Sequence, residues 1–383
     1  MPVTTLTNLF NRFFNSEKSG GIILVICTAF SLILTNLQVD LYTNFWNISL
    51  AGHTLVQWIN DGLMTIFFLL IGLELEREIY AGELSDFRNA LLPVFAALGG
   101  MLVPAGIYLA FNFNGEKSGA GVPMATDIAF ALGVLSMLGK RVPLSLKIFL
   151  TALAVIDDLG AIIVIAVFYT NTFDLQAFGI AVAIFAGLIV LNRLKVHNLL
   201  PYLAAGTFMW YYMLISGIHP TITGVLLAFA IPFGKGDDKS PSYILQDVLH
   251  TPVAFFILPL FALANTCILI NAEAVSALGS KVSLGIMAGL FLGKPLGIML
   301  FTFLATFFKI SALPEDVQWA HILGMGILAG IGFTMSIFIT LLAFEEQSWI
   351  DVSKLSVMLA SFSAGVIGFL WLKNTLPREP VIR

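Results

Sequence analysis

Two adjacent acidic residues stand inside an apolar stretch and are the side chains best placed for chemistry. Asp157 and Asp158 are the only charged residues between positions 148 and 168. Consecutive residues of a helix point about 100° apart, so the two carboxyl groups can address one cavity from different sides. In a low dielectric they cannot both stay ionised without a cation or protons to neutralise them. A site that holds either Na⁺ or protons is the core of a cation exchanger; a static buried ion pair is the alternative.

Three further residues extend this candidate site. Asp127 and Lys294 also lie in apolar segments, where an ionisable side chain is costly and marks a functional position by default. Thr126 adds a hydroxyl and a carbonyl oxygen beside Asp127, and hard cations take oxygen ligands. Pro123 and Gly121 interrupt the same segment, so some of its carbonyl groups should lack helical partners. A simple kinked helix is the alternative there.

A glycine-rich segment in the second half of the chain predicts another interruption. Four glycines fall within nine residues, Gly324, Gly326, Gly330 and Gly332. Each weakens a helix by roughly 1 kcal/mol relative to alanine, which favours an unwound centre, although close helix packing would also use glycine. Two interrupted segments in opposite halves predict an inverted-repeat transporter with a midplane site. Asp127 would suit exposed helix N-termini at the breaks, and Lys294 would suit exposed C-termini.

The composition requires a membrane for these segments. Of the 383 residues, 58% are hydrophobic and 11% are charged, against roughly 25% charged in soluble domains. A spanning helix needs about 20 mainly apolar residues. Twelve candidates are found, near 20–37, 55–73, 90–111, 121–138, 144–169, 175–191, 199–215, 218–233, 251–270, 283–305, 320–344 and 355–373. We therefore expect one all-α transmembrane domain over residues 1–383, with a possible β-hairpin at 38–54 that turns at Ala51-Gly52.

The basic residues predict how the chain is oriented. With twelve spans and an internal N-terminus, 15 of the 19 Lys and Arg residues fall on the cytoplasmic side. Three fall outside, Lys117, Lys281 and Lys354, and Lys294 lies within a span. Because Lys and Arg are enriched in cytoplasmic loops, this asymmetry predicts that both termini are cytoplasmic.

An acidic cluster follows the second predicted span. It consists of Glu74, Glu76, Glu78 and Glu83, together with Arg77. Such a cluster can attract cations and respond to pH, but a solvated charged collar is an equally good interpretation. His219 titrates near neutrality in principle, although a lone histidine at this position is more often structural.

The segment around Lys294 superficially resembles a nucleotide-binding loop. Its glycines, Gly289 and Gly293, stand one residue too close together, and Pro295 replaces the required Ser or Thr. We therefore expect no nucleotide site, and transport driven by an ion gradient. The net charge of −4 is too small to indicate a nucleic-acid partner, and no cofactor is expected.

Five motifs along the chain carry a family resemblance. They are FFLLIGLE at 67–74, ATDIAFALG at 125–133, IDDLGA at 156–161, GKPLG at 293–297 and GIGFTMS at 330–336. With these motifs the sequence resembles the NhaA-type bacterial sodium/proton antiporters over essentially its whole length. That family is itself an example of inverted-repeat architecture, so the agreement on this point is not an independent inference.

The resemblance implies twelve helices, with spans four and eleven broken and crossing. It implies that Asp158 is the main sodium ligand, with Asp157 and Thr126 beside it. Asp157 is expected to carry a proton or to pair with Lys294, and Asp127 to balance the crossing helix ends. The resemblance also implies that lithium is carried and that more protons than sodium ions move per cycle. It places the protein in the inner membrane, as a homodimer that makes contact through the 38–54 hairpin.

The resemblance further implies a pH response, in which this chain departs from the family pattern. The residues that would carry it are Glu74, Arg77, Glu78, His219 and Asp247. Glu76 stands where lysine is common, Gln246-Asp247 stands where relatives have a glutamate, and Pro220 follows His219. We therefore expect the pH profile to be shifted relative to the family.

Two other functions fit the composition less well. A proton-coupled symporter for an organic substrate would need more Arg, Trp or Asn side chains in the midplane. A membrane-embedded hydrolase could use paired aspartates, but neither metal-binding His/Glu spacing nor a serine-based constellation is present in the sequence.

Overall fold

A computed structural model describes residues 3–169, 173–234 and 236–377, with the side chains from Ser19 onward except at 83 and 87–89. The side chain of Glu83 in the acidic cluster lies outside this description. So do six side chains of the charge count, Arg12, Lys18, Arg88, Lys235, Arg378 and Arg383.

Helices account for about four fifths of the described chain. The first half contains α1 (Val3–Leu37), α2 (Val39–Trp46), β1 (Ser49–Leu50), β2 (His53–Thr54), α3 (Leu55–Gln57), a π-helical turn (Trp58–Leu63), α4 (Met64–Ala81), a 3₁₀ turn (Glu83–Ser85), α5 (Phe87–Phe111), a 3₁₀ helix (Ser118–Met124), α6 (Ile128–Ser136), a 3₁₀ turn (Gly139–Arg141), α7 (Leu144–Phe168) and α8 (Leu175–Arg193). The second half contains α9 (Leu199–Ile215), α10 (Ile222–Ala230), α11 (Pro241–Pro252), a π turn (Val253–Ile257), α12 (Leu258–Asn265), α13 (Ala272–Ala277), α14 (Lys281–Ala288), a π turn (Gly289–Gly293), α15 (Lys294–Phe307), α16 (Trp319–Ala329), α17 (Phe333–Ala343) and α18 (Gln347–Thr375).

The spans agree with the predicted all-α membrane class. Among the described residues, nine helical segments are long and apolar enough to cross a bilayer. The pair α16 and α17, bent by 47° at a short break, makes a tenth. The remaining two predicted spans, near 199–215 and 218–233, correspond to the shorter helices α9 and α10.

The predicted hairpin is smaller than expected. Residues 39–46 form helix α2, and only the two-residue strands β1 and β2 pair, with Ser49 opposite Thr54. The turn is Ala51-Gly52, as predicted, with φ values of 52° and 88°. Two successive positive φ angles define the turn type whose twist suits a two-residue hairpin.

Two apolar clusters form the core. The larger surrounds α6, α7 and α15 to α18, and the smaller joins α8, α9 and α10 to one face of α4. Helices α5 and α15 are in contact through their backbones at Gly99 and Gly297. A side chain at either glycine would collide with the carbonyl group of the other. This contact brings α5 against the region of Asp157, whose Oδ1 lies 3.9 Å from the position of a Cβ at Gly100.

Candidate ion-binding site

The two predicted breaks cross and bind each other. Between the 3₁₀ helix Ser118–Met124 and α6 the chain is not helical, and between α16 and α17 it is interrupted at residues 330–332. The Asp127 N–H donates to the Ile331 carbonyl oxygen at 2.7 Å. The Ser336 hydroxyl donates to the Val122 carbonyl oxygen, also at 2.7 Å. Backbone groups that unwinding would otherwise strand in an apolar interior therefore find partners across the crossing.

Asp127 lies at the N-terminal ends of two helices. Its Oδ1 accepts the Phe130 N–H of α6 at 2.9 Å. Its Oδ2 accepts the Thr334 N–H of α17 at 3.0 Å and also the Thr334 hydroxyl. A carboxylate at a helix N-terminus satisfies free N–H groups and opposes the positive end of the helix dipole. Asp127 is thus a cap shared by both half-helices.

Asp157 and Lys294 form a fully buried ion pair. Lys294 Nζ contacts Asp157 Oδ2 and donates to Thr126 Oγ1 at 2.8 Å. Neither of these two bonds of Lys294 is to a helix C-terminus, and the expectation that Lys294 balances such an end stays a prediction. The Thr126 hydroxyl lies 2.8 Å from Asp157 Oδ2 and 3.0 Å from the carbonyl oxygen of Ala329, the last residue of α16. One hydroxyl proton serves only one of these acceptors at a time.

Asp158 is the exception in this network. Its side chain is fully buried, yet no described residue donates a hydrogen bond to either carboxyl oxygen. Oδ1 of Asp157 is likewise buried and accepts no hydrogen bond from the described residues. Buried polar atoms are nearly always partnered, and a buried charge requires a counter-charge. Asp158 therefore needs a proton or a small cation as its neutralising species, and the free Oδ1 of Asp157 offers that cation a further oxygen.

Sequence reasoning missed several groups of the crossing. Thr334 bonds Asp127, the Ser361 hydroxyl accepts the Phe333 N–H at 3.1 Å, and the Ala329 carbonyl faces Thr126. Thr334 stood inside the glycine-rich motif and could have been selected as a polar residue next to a break. No local signal distinguishes Ser361, which lies in the long helix α18.

The acidic cluster is only partly a solvated collar. Glu74 and Glu76 are each only 3% exposed, so the interpretation of a solvated surface is wrong for these two. Gln246, on α11, lies beside Glu74, whose Oε1 is buried and accepts no hydrogen bond from the described residues. Arg77 contacts Glu78 at 3.3 Å near the end of α4. Asp247 and Arg77 both act electrostatically on His250, which places Asp247 with this group.

His219 lies apart from the acidic cluster. It lies in the connection before α10, and its Nε2 is 3.0 Å from the Tyr169 carbonyl oxygen. Helices α4 and α10 run parallel, because Gly224 approaches Leu69 whereas Gly72 approaches Ala228. His219 is therefore on the side where α4 begins, and Glu74 is near the other end. The structure does not bring the two together.

The chain is similar to known proteins over nearly its whole length. A family model described as Na⁺/H⁺ antiporter 1 matches residues 11–372. The chain is 60% identical to the Na⁺/H⁺ antiporter NhaA of Flavobacterium psychrophilum, over 97% of each chain. It is 57% identical to that of Cytophaga hutchinsonii over 98% of this chain and 97% of the relative. It is 58% identical to that of Dechloromonas aromatica over 96% of each.

Proposed function

The chain belongs to the Na⁺/H⁺ antiporter 1 family, and from that premise we propose that it exchanges Na⁺ or Li⁺ for more than one proton per cycle. Its family consists of antiporters rather than enzymes, and the chain is a multi-pass bacterial membrane protein. The observation that carries the proposal is the fully buried carboxyl group of Asp158, which accepts no hydrogen bond from the described residues.

Competition at Asp158 is the core of the proposed mechanism. A proton on Asp158 neutralises it without any protein donor. Na⁺ does the same with Asp158 as its main ligand and Asp157 and Thr126 beside it, since a hard cation prefers carboxylate, hydroxyl and carbonyl oxygens. Li⁺ takes the same class of ligand. Because a proton and a cation cannot occupy one carboxylate together, release of one accompanies binding of the other.

The Lys294 pair supplies the second proton of the proposed cycle. In the proposed proton-loaded form the Lys294 ammonium group occupies Asp157, and the contact between Asp157 Oδ2 and Lys294 Nζ supports this assignment. A sodium ion that draws on Asp157 as well as Asp158 removes that partner, and an unpaired ammonium group in this buried place is strongly disfavoured. Lys294 then yields its proton. More protons than sodium ions move, and the cycle transfers net charge.

Proteoliposomes test this proposal directly. Na⁺-triggered proton movement is measured from acidic to alkaline pH, with and without a potassium-ionophore clamp on the membrane potential. We expect the wild type to exchange Na⁺ for protons and the clamp to accelerate this exchange. Asp157→Asn should not exchange Na⁺ for protons at the wild-type ratio. Asp40→Asn, at an exposed position of α2, is the matched control and should behave as wild type. Exchange that the clamp leaves unchanged would contradict electrogenic transport.

We further propose that pH regulation, and with it a role in sodium and pH homeostasis, acts through the group around Glu74. Its members are Glu74, Arg77, Glu78 and Asp247, with Gln246 beside Glu74. His219 was expected to join them, but its distance from Glu74 argues for a separate role. Gln246→Glu adds a second carboxyl group beside Glu74, and like charges there retain protons more readily. Half-maximal exchange should move to higher pH; an unchanged profile would remove this group from regulation.

Assembly and orientation are the remaining proposals. The 49–54 hairpin presents exposed side chains, with Leu50 60% exposed, and the unpaired N–H and C=O groups of a strand edge can pair with a second copy. We propose an inner-membrane homodimer with this contact and with both termini cytoplasmic. Light scattering of wild type against Ser49→Pro tests the dimer. Leu55 donates to Ile48 within the hairpin, so by the alternation of an antiparallel pair the N–H of Ser49, opposite Thr54, faces the free edge, and proline removes that donor. A reporter fused to the C-terminus tests the orientation.

A further inference from the structure

An apolar cavity of about 740 Å³ lies beside the smaller core cluster, among α4, α9 and α10. Trp58 and Trp210 lie side by side in its wall, and their rings are stacked with the centroids 6.2 Å apart. Leu69 lines the cavity 11 residues after Trp58, which is about 16 Å further along a helix. The volume is within the range of sites for small organic ligands, roughly 300–1,000 Å³.

The polar groups in the cavity wall are either bonded within the protein or enclosed by it. The indole N–H of Trp58 donates to the Leu50 carbonyl oxygen at 2.9 Å, and that of Trp210 to the Asp61 carbonyl oxygen at 3.0 Å. The Thr207 hydroxyl donates to the Leu203 carbonyl oxygen at 2.9 Å. The indole nitrogen of Trp46 and the hydroxyl of Thr223 are enclosed by protein and have no hydrogen-bond partner among the described residues. The wall therefore offers an occupant apolar contact and almost no hydrogen bonding.

The length of the cavity matches the depth of the hydrocarbon in one lipid leaflet. Its wall includes residues of the membrane-spanning segments Leu55–Ala81 and Pro241–Asn265, and the hydrocarbon of one leaflet is about 15 Å deep. Tryptophans gather at the interface between hydrocarbon and headgroups, which fits Trp58 and Trp210 at one end and Leu69 near the bilayer centre. Water is a poor occupant, because a hydrated cavity needs polar partners.

We propose that this cavity binds one acyl chain of a membrane phospholipid, inserted from the leaflet that faces the 49–54 hairpin. The ester and headgroup remain at the level of Trp58 and Trp210, and the chain end reaches Leu69. The wall resists collapse because α4 and α10 already touch through their backbones, with Gly224 against Thr65. The π-helical turn Trp58–Leu63 widens the same wall. The site is separate from Asp158 and goes beyond ion exchange.

Gly62→Leu tests the site, since a Cβ at Gly62 meets only the Trp58 ring at 3.7 Å and the added side chain can enter the cavity. Native mass spectrometry of the purified full chain is titrated with dipalmitoyl phosphatidylglycerol. We expect one tightly retained lipid in the wild type and binding about tenfold weaker in the variant, the effect of losing about two buried methylene contacts. Dihexanoyl phosphatidylglycerol, with the same headgroup, should not compete.

Gly187→Leu is the matched control. Gly187 is exposed on α8 and a Cβ there meets nothing within 4 Å, so lipid retention should equal that of wild type. Thr207→Trp, at an exposed position of the cavity wall, gives a second test should Gly62→Leu fold poorly. Equal retention by wild type and by both cavity variants would overturn the proposal. Competition by the short-chain lipid would also overturn it, because binding would then depend on the headgroup. Loss of the retained lipid on dimerisation would overturn it as well, because the cavity would then be filled by a second copy.

Discussion

The two sides of the helix crossing treat a buried carboxyl group in opposite ways. Asp127 accepts three hydrogen bonds, from the Phe130 N–H and from the N–H and hydroxyl of Thr334. On α7, Asp158 is buried at least as deeply, but no described residue donates to it. A hydrogen bond to a charged group is worth about 1.5–3 kcal/mol, so Asp127 is held by the fold and Asp158 is not.

This contrast separates a structural acid from an exchanging one. A carboxylate saturated by fixed donors has no reason to bind a mobile cation, because the cation would have to displace them. A carboxylate without donors must bind whatever neutralises it. Asp157 is intermediate, since Lys294 and Thr126 contact its Oδ2 while its Oδ1 accepts nothing from the described residues. The comparison predicts a graded series of mutational effects.

The largest effect on transport is expected at Asp158. Asp158→Asn removes the negative charge for which Na⁺ and protons compete, and exchange in proteoliposomes should fall to background. Thermal stability in detergent should not fall, because no protein hydrogen bond is lost. Substantial residual sodium transport would break the comparison, and Asp40→Asn controls for insertion and reconstitution.

The largest effect on stability is expected at Lys294. Lys294→Met leaves Asp157 as a buried charge without its partner, which typically costs about 3–5 kcal/mol. Combining it with Asp157→Asn removes both charges and should recover most of that loss. The measurement is denaturation of the two single variants and the double variant. Additive losses would show that the two side chains are not paired in the folded state.

A somewhat smaller loss of stability is expected at Asp127. Asp127→Ala removes a cap from both α6 and α17, at about 1 kcal/mol or more each, while Asp127→Asn keeps an acceptor and should lose less. The apparent sodium affinity of the folded fraction should stay near that of wild type in both. A large change in affinity without a loss of stability would assign Asp127 to the ion site.

The smallest effect is expected at Thr126. Thr126→Val keeps the shape but removes the hydroxyl between Lys294, Asp157 and Ala329, and should cost about 1–3 kcal/mol because buried partners are stranded. Apparent sodium affinity should also weaken, and Thr126→Ser should restore both. If valine lowers stability but leaves sodium affinity unchanged, Thr126 supports the site without binding the ion.

The sequence by itself determined the membrane class, the spans and the acids. These follow from local properties, because apolar length decides what crosses a bilayer and charge inside such a segment is rare. Gly330 and Gly332 likewise marked a break, because weak helix propensity is read within a few residues. The small hairpin was located by Ala51-Gly52, although its length and helix α2 were not foreseen.

Only the tertiary structure decided what each acid does. Asp127 and Asp158 look alike in sequence, and their difference depends on Thr334, about two hundred positions away, whose N–H and hydroxyl reach one carboxyl group and not the other. The burial of Glu74 and Glu76 and the separation of His219 from them arise in the same way, from how α4 packs against its neighbours. Hydrogen-bond partners and burial come from distant segments, so a local pattern names the candidates and the packing assigns their roles.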